Sequence, residues 1–125
     1  MGRLELPIII AESRDIIFYD RVCDAELHLE AIDVRNQEYV GYDAKGRLLT
    51  FSIEHRHDRT FFGLIPVEFD AVVIQPAEEA PNHQRELREL LAKAVVSLGH
   101  EEEAQRMQHL PLPEVVEVAR KIIGT

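Results

Sequence analysis

The stretch Glu38-Tyr39-Val40-Gly41-Tyr42-Asp43-Ala44-Lys45-Gly46-Arg47-Leu48-Leu49-Thr50-Phe51-Ser52-Ile53-Glu54 decides how the fold is read. Leu49, Phe51 and Ile53 alternate with Thr50, Ser52 and Glu54, a period of two that belongs to a strand with one buried face. Asp43 at the first corner and Gly46 at the last suit a type I turn, with Gly46 in the left-handed position of a bulge. The expectation is a β-hairpin across residues 38–54.

Upstream, Pro7-Ile8-Ile9-Ile10-Ala11 has the β-branched run of a buried strand. Glu12-Ser13-Arg14-Asp15 interrupts it, and Ile16-Ile17-Phe18-Tyr19 resumes, as a hairpin or as one broken strand. Asp20 has the chemistry of an N-cap, because its carboxylate can accept from the free N–H groups of a first turn. A helix is expected from there to about Ala31, burying Val22, Ala25 and Leu29 and leaving Asp24, Glu26 and Glu30 to solvent.

Downstream, the polar run His55 to Thr60 reads as a loop or a fraying strand end. Val67 to Ile74 reads as a strand bracketed by Pro66 and Pro76. Leu87, Leu90, Leu91, Ala94, Val95 and Leu98 then follow the one-face pattern of an amphipathic helix, which Gly99 ends. His100 to Gln108 suits a short exposed helix. Pro113 fits the first turn of a last helix, with Glu114 and Glu117 near its start and Arg120 and Lys121 near its end, as its dipole favours.

Strands cluster in the middle and helices at the end. The pattern predicts one α+β domain over residues 1–125: a small antiparallel or mixed β-sheet with two to three α-helices packed on one face. A length of 125 residues and a hydrophobic content of 46% suit a single core. No apolar run approaches the length of a membrane helix, and the first residues do not resemble a signal peptide, so a cytoplasmic protein without membrane attachment is expected. The single cysteine, Cys23, excludes an internal disulfide and multi-cysteine zinc patterns.

The net charge of −9 opposes direct binding to nucleic acid and favours a basic partner. It is uneven: residues 1–43 carry a net −6, residues 44–76 balance, and residues 77–125 carry −3.

Constellations that could carry chemistry are few. His55 and His57 share a strand side if that segment is extended, and with Asp58 or His83 they could hold a metal. Arg56 and Arg59 oppose a cation there, so a polar strand end is the simpler reading. Asp24, Glu26, Glu30 and Asp33 are numerous enough for acid–base work, but a helix shows such side chains mostly to water. Cys23 has the context of a structural thiol rather than of a nucleophile. No serine stands in a nucleophile elbow and no Gly-rich phosphate loop is present. Glu101-Glu102-Glu103 reads as a solvated face, with contact to a basic partner as the alternative. Phe61-Phe62-Gly63-Leu64-Ile65-Pro66 reads as core, with an exposed patch for a partner as the alternative.

The acidic helix ending in Leu29-Glu30-Ala31-Ile32-Asp33-Val34, followed by Glu38-Tyr39 and Tyr42-Asp43 and then by Gly46-Arg47-Leu48-Leu49, resembles small acidic immunity proteins of bacterial polymorphic toxin and contact-dependent competition systems. The resemblance spans residues 20–49. It implies an α+β protein that occludes a toxin's active site, without cofactor or catalysis of its own. Immunity proteins share no catalytic motif and have diverse contact surfaces, so no residue role carries over from it.

The function expected is therefore a non-enzymatic protein-binding domain for a basic toxin domain. Asp24, Glu26, Glu30 and Asp33 are the expected contact carboxylates, with Tyr39 and Tyr42 as aromatic anchors. Two alternatives stand beside it. One is a metal-binding protein or metal-dependent enzyme using His55, His57 and Asp58. The other is a homo-oligomeric structural or regulatory domain assembled through its terminal helices or the Phe61–Pro66 segment.

Overall fold

Ile8, Ile9 and Ile10 are all within 2% of complete burial, although neighbouring residues of a strand point to opposite faces. A strand buried on both sides must lie in a middle layer, and this one does. The computed structural model describes residues 3–13, 15–29, 34, 38–60 and 65–124, with residues 58–60 and 65–69 described by their backbone only. Strand β1 (Ile8–Glu12) is the centre of a three-stranded antiparallel sheet, between β2 (Asp15–Tyr19) and β3 (Tyr39–Tyr42). The β1–β2 pair is a hairpin, with Glu12 opposite Asp15 and Ser13 at a φ of 54° in the loop.

One face of this sheet presents Ile9, Phe18 and Tyr42, which stand side by side across the three strands. They pack on three helices, α2 (Gln84–Ser97), α3 (Glu101–Met107) and α4 (Leu112–Ile123). Leu87, Leu91 and Val95 of α2, Ala104 and Met107 of α3, and Val115, Val116 and Ala119 of α4 complete this core. The opposite face presents Ile8, Ile10 and Tyr19 to Ala25 of helix α1 (Val22–His28) and to Leu49, Val72 and Ile74 of a two-stranded ribbon. That ribbon pairs β4 (Leu49–Thr60) with β5 (Ile65–Pro76), antiparallel, from Leu49 opposite Pro76 to Thr60 opposite Ile65. The α+β class is as expected, and all the described strand pairs are antiparallel.

The segment 38–54 is not a hairpin. The turn forms: Gly46 N–H donates to the Asp43 carbonyl at 3.1 Å, and Gly46 has a φ of 87°. Its two arms then separate, meeting only at a bridge between Tyr42 and Leu48. β3 pairs with β1 and β4 with β5, so the chain passes at Asp43–Arg47 from one layer to the next. A buried ion pair fixes this corner. Asp43 is fully buried, and its carboxylate accepts from Arg47 Nε at 2.7 Å and from the backbone N–H groups of Arg47 and Lys45 at 3.0 and 3.1 Å. Glu5 N–H donates to it at 3.2 Å, and the Arg47 guanidinium also donates to the Arg3 carbonyl. The corner holds α2 in place: His83 N–H donates to the Gly46 carbonyl at 3.0 Å and Gln84 Nε2 to the Lys45 carbonyl at 3.0 Å.

Other expectations are corrected. Of the two readings of His55–Thr60, loop or fraying strand end, the segment is strand as far as Thr60; it is polar because residues 54–57 are exposed along the ribbon. Pro66 and Pro76 lie within β5, opposite Arg59 and Leu49, rather than outside it. A proline without an N–H is tolerated there because, among the described residues, β5 pairs with a strand on one side only. Helix α1 begins after Arg21, not Asp20, and Leu29 is already extended. The Asp20 carboxylate is instead clamped by both guanidinium nitrogens of Arg120 in α4, at 2.7 and 2.9 Å. That forked bond outcompetes a cap to neutral N–H groups. It holds the Asp20 carboxyl below its ordinary range. Leu98 ends α2 at 54% exposure rather than joining its buried stripe. Segment 61–64 lies outside the described residues.

Candidate functional site

Of the six expected contact residues, the four described ones, Asp24, Glu26, Tyr39 and Tyr42, do not form one surface. Glu30 and Asp33 lie outside the described residues. Asp24 sits on α1, half-exposed, 3.8 Å from Arg21. Glu26 does not simply face water: its carboxylate accepts from the Ile74 N–H of β5 at 2.8 Å. It thereby satisfies a donor that the free edge of β5 would otherwise leave open. Tyr39 and Tyr42 are three residues apart on one strand and so occupy opposite faces. Tyr39 packs beside Phe51, ring centres 6.1 Å apart, in the core beneath the ribbon. Tyr42 is in the helix-side core, 5% exposed.

Of the expected metal ligands, two come together and His83 stands apart. His55 and His57 do share a side of β4, their rings edge to face at 5.1 Å. His55 Nδ1 stands 3.0 Å from Asp70 across the ribbon. His83 is elsewhere, at the start of α2, bound to Glu78 at 2.8 Å. The Asp58 side chain lies outside the described residues, and no group of three metal-ligating side chains occurs among the described ones. Cys23 is exposed, with an Arg21 nitrogen 3.3 Å from its sulfur.

The feature that brings chemistry together is a groove of about 770 Å³ between α2 and α3. Leu90, Val96 and Ala104 form its apolar floor, and Glu86, Glu89, Lys93 and Glu101 stand around it. Helical geometry produces this. The core stripe of α2 is Leu87, Leu91 and Val95, four residues apart; Glu86, Glu89/Leu90, Lys93 and Val96 form the adjoining stripe, turned about one residue away. Val96 remains 42% exposed there, an apolar side chain the core does not use. From α3 come Ala104, small enough to leave space, and the amides of Gln105 and Gln108.

Tyr42 reaches this groove from the sheet. Its hydroxyl donates to Glu86 Oε2 at 3.3 Å. Burial, reinforced by the adjacent Glu86 carboxylate, pushes its pKa up to about 12. At neutral pH the phenol therefore stays a neutral donor to the Glu86 carboxylate. Glu89 pairs with Arg85 at 3.2 Å on the outer side of α2, where both are largely exposed. Counting Arg85 with its partner Glu89, the groove carries three carboxylates against two cationic side chains, over an apolar base. Nothing in it suggests a nucleophile paired with a base.

The sequence reading assigned Leu90 to the core face of this helix and singled out neither Glu86 nor Glu89, so the site was missed. The available signal was an excess of apolar positions on α2: a stripe containing both Leu90 and Leu91 is wider than one partner face requires. Among the described residues no helix is long and apolar enough to cross a membrane. Compared with protein-family models, with curated proteins and with solved structures, the chain matches none.

Proposed function

We propose that this chain is a non-enzymatic binding protein that captures a basic partner domain, in the manner of a bacterial immunity protein that covers a toxin's active site in the cytoplasm. One observation carries the reading: Glu86, Glu89 and Glu101 surround an apolar floor in the α2–α3 groove of a chain with net charge −9. Long-range attraction would steer a cationic domain to such a protein, and the floor would supply desolvated contact once it arrived. Toxins that act on nucleic acid are basic for the same electrostatic reason, so an acidic ligand can compete with their substrate. On this reading the contact surface lies on the helical side of the sheet rather than on α1.

The test is calorimetric titration with the protein encoded by the neighbouring gene, at low salt and at about 0.3 M salt, where the Debye length falls to roughly 6 Å. Wild type is expected to bind tightly, more weakly at high salt. The triple variant Glu86→Gln/Glu89→Gln/Glu101→Gln is expected to bind at least about tenfold more weakly, equivalent to roughly 1.4 kcal/mol. Unchanged affinity in the variant would remove the groove from the interface. No binding by wild type would remove the immunity reading.

A further inference from the structure

We infer that the α2–α3 groove receives an amphipathic α-helix of the partner, basic along the flank that meets Glu86, Glu89 and Glu101, which lies against α2 and α3 as a third helix. This rests on the reading of a basic protein partner and adds the form of the segment that binds.

The argument begins with backbone hydrogen bonds. The groove walls are two helices, whose main-chain groups are consumed within them except at their ends. An extended segment laid there would find no ladder of donors and acceptors and would bury its own N–H and C=O groups unpaired. A helix carries its hydrogen bonds internally and can present side chains alone. Sheet-edge recognition therefore does not apply to this surface, and helix-in-groove recognition does.

The dimensions agree. From Glu86 to Val96 the wall of α2 runs ten residues, about 15 Å at 1.5 Å per residue, or nearly three turns. Leu90 and Val96 along this wall face Ala104 across the groove, where the missing side-chain volume lets another helix approach closely.

Charge then sets the orientation of the occupant's residues. Glu86 and Glu89 lie toward the start of α2, Lys93 midway, and Glu101 at the far end. The complementary helix carries basic residues near both ends and a neutral or acidic one between. Glu86 is the natural seat for an arginine, since Tyr42 O–H occupies one carboxylate oxygen and no described group donates to the other. A second copy of this chain is the poorer occupant, because two molecules of charge −9 repel and each would have to offer a basic helix it lacks at this density.

Two probe peptides test the inference: a helix-forming peptide of about 14 Leu, Ala, Lys and Arg residues, long enough to be helical when docked, and the same peptide with two central prolines. Each is titrated into isotopically labelled protein. The helical peptide is expected to shift the amide signals of Leu90, Val96 and Ala104 and to bind at least about tenfold tighter than the proline form, because proline breaks the helix. Val96→Ser, at an exposed position that folding does not need, should weaken the helical peptide about threefold or more through loss of buried apolar area, and leave the proline form unaffected. Equal affinity of the two peptides would overturn the helical occupant while leaving a basic partner intact. Shifts confined to α1, or no binding by either peptide, would overturn both.

Discussion

Replacing Asp43 by alanine should be among the most damaging single changes to this fold that leaves the hydrophobic core untouched. Asp43 is fully buried and Arg47 is 6% exposed, so neither charge has water to fall back on. The carboxylate faces Arg47 Nε and Nη2, each at 2.7 Å, and three backbone N–H groups. Breaking a buried ion pair from one side costs about 3–5 kcal/mol, because the remaining charge is left desolvated. Here the Arg47 guanidinium keeps one acceptor, the Arg3 carbonyl. The N–H groups of Glu5 and Lys45 are only part-buried and would recover water. These offsets place the loss toward the lower end, about 3–4 kcal/mol.

Against a total stability of roughly 5–15 kcal/mol that is a large fraction. With a urea m-value of about 1.5 kcal/mol/M for a chain of this size, the unfolding midpoint should fall by about 2 M. Two further variants separate an orphaned charge from lost turn geometry. Arg47→Met should cost less than Asp43→Ala, since the carboxylate would keep its three backbone donors. The double variant Asp43→Ala/Arg47→Met should be more stable than Asp43→Ala alone, because the uncompensated cation is gone. A loss below about 1 kcal/mol in Asp43→Ala, or a double variant weaker than either single one, would refute the buried-pair reasoning.

Two more predictions concern the same region. In Gly46→Ala the new Cβ would lie 2.6 Å from Gln84 Cγ and 2.7 Å from Gln84 Cα, on top of a left-handed φ of 87°. Gly99→Ala has a similar φ of 88° but open space. Denaturant melts should show about 1 kcal/mol lost at Gly99 and at least about twice that at Gly46, the difference reporting the clash with α2; equal losses would mean the contact relaxes freely. The Glu78–His83 pair predicts a pH dependence. Its bond to Glu78 holds the His83 imidazole above the ordinary 6.5, more than desolvation lowers it. Desolvation raises the Glu78 carboxyl, but the His83 bond and the N–H groups of Leu48 and Asn82 together bring it below 4.5. The histidine contribution is complete below 6.5 and is lost as pH rises through the raised value; the glutamate contribution is complete above 4.5 and is lost as pH falls through the lowered one. The stability advantage of wild type over His83→Gln should therefore be widest between 4.5 and 6.5 and shrink on the alkaline side. A constant advantage from there to pH about 9 would disprove the linkage.

Local signals in the sequence identified elements well where one face or one residue decides the matter. The stripe Leu87-Leu91-Val95, the left-handed Gly99 and the Pro113 first turn of α4 are of this kind. Which strand pairs with which is not a local property. A type I turn with Gly46 as its left-handed residue is the same object whether its arms zip together or diverge into two layers. Here β1 and β5 are the better partners, and only long-range contact reveals them. Some of what was missed was nonetheless visible. Asp43 and Arg47, four residues apart across a turn, could have been read as a pair. The odd spacing of Tyr39 and Tyr42 places them on opposite faces by parity alone. For His55–Thr60 a loop and a strand end both stayed open, because polarity resembles irregularity; a ribbon wet on both sides is polar without ceasing to be a strand. The groove was the least accessible, because it depends on how α2 and α3 meet.

The corner and the groove are parts of one construction. Tyr42, which donates to Glu86, is the last residue of β3 and the direct neighbour of Asp43. On the far side of the turn, the carbonyls of Gly46 and Lys45 hold His83 and Gln84 at the start of α2. The Asp43–Arg47 pair therefore fixes both the strand that delivers the phenol and the helix that delivers the carboxylate. A contact between residues 44 apart in sequence is thus held from both ends by hydrogen bonds at one corner. Rigid support of that sort is what a binding surface needs if its charges are to meet a partner without reordering. It also means that damage to the corner would reach the groove before the protein unfolds: in Arg47→Met, a loss of affinity for the helical probe peptide at full retention of folded protein would be the mark of that coupling.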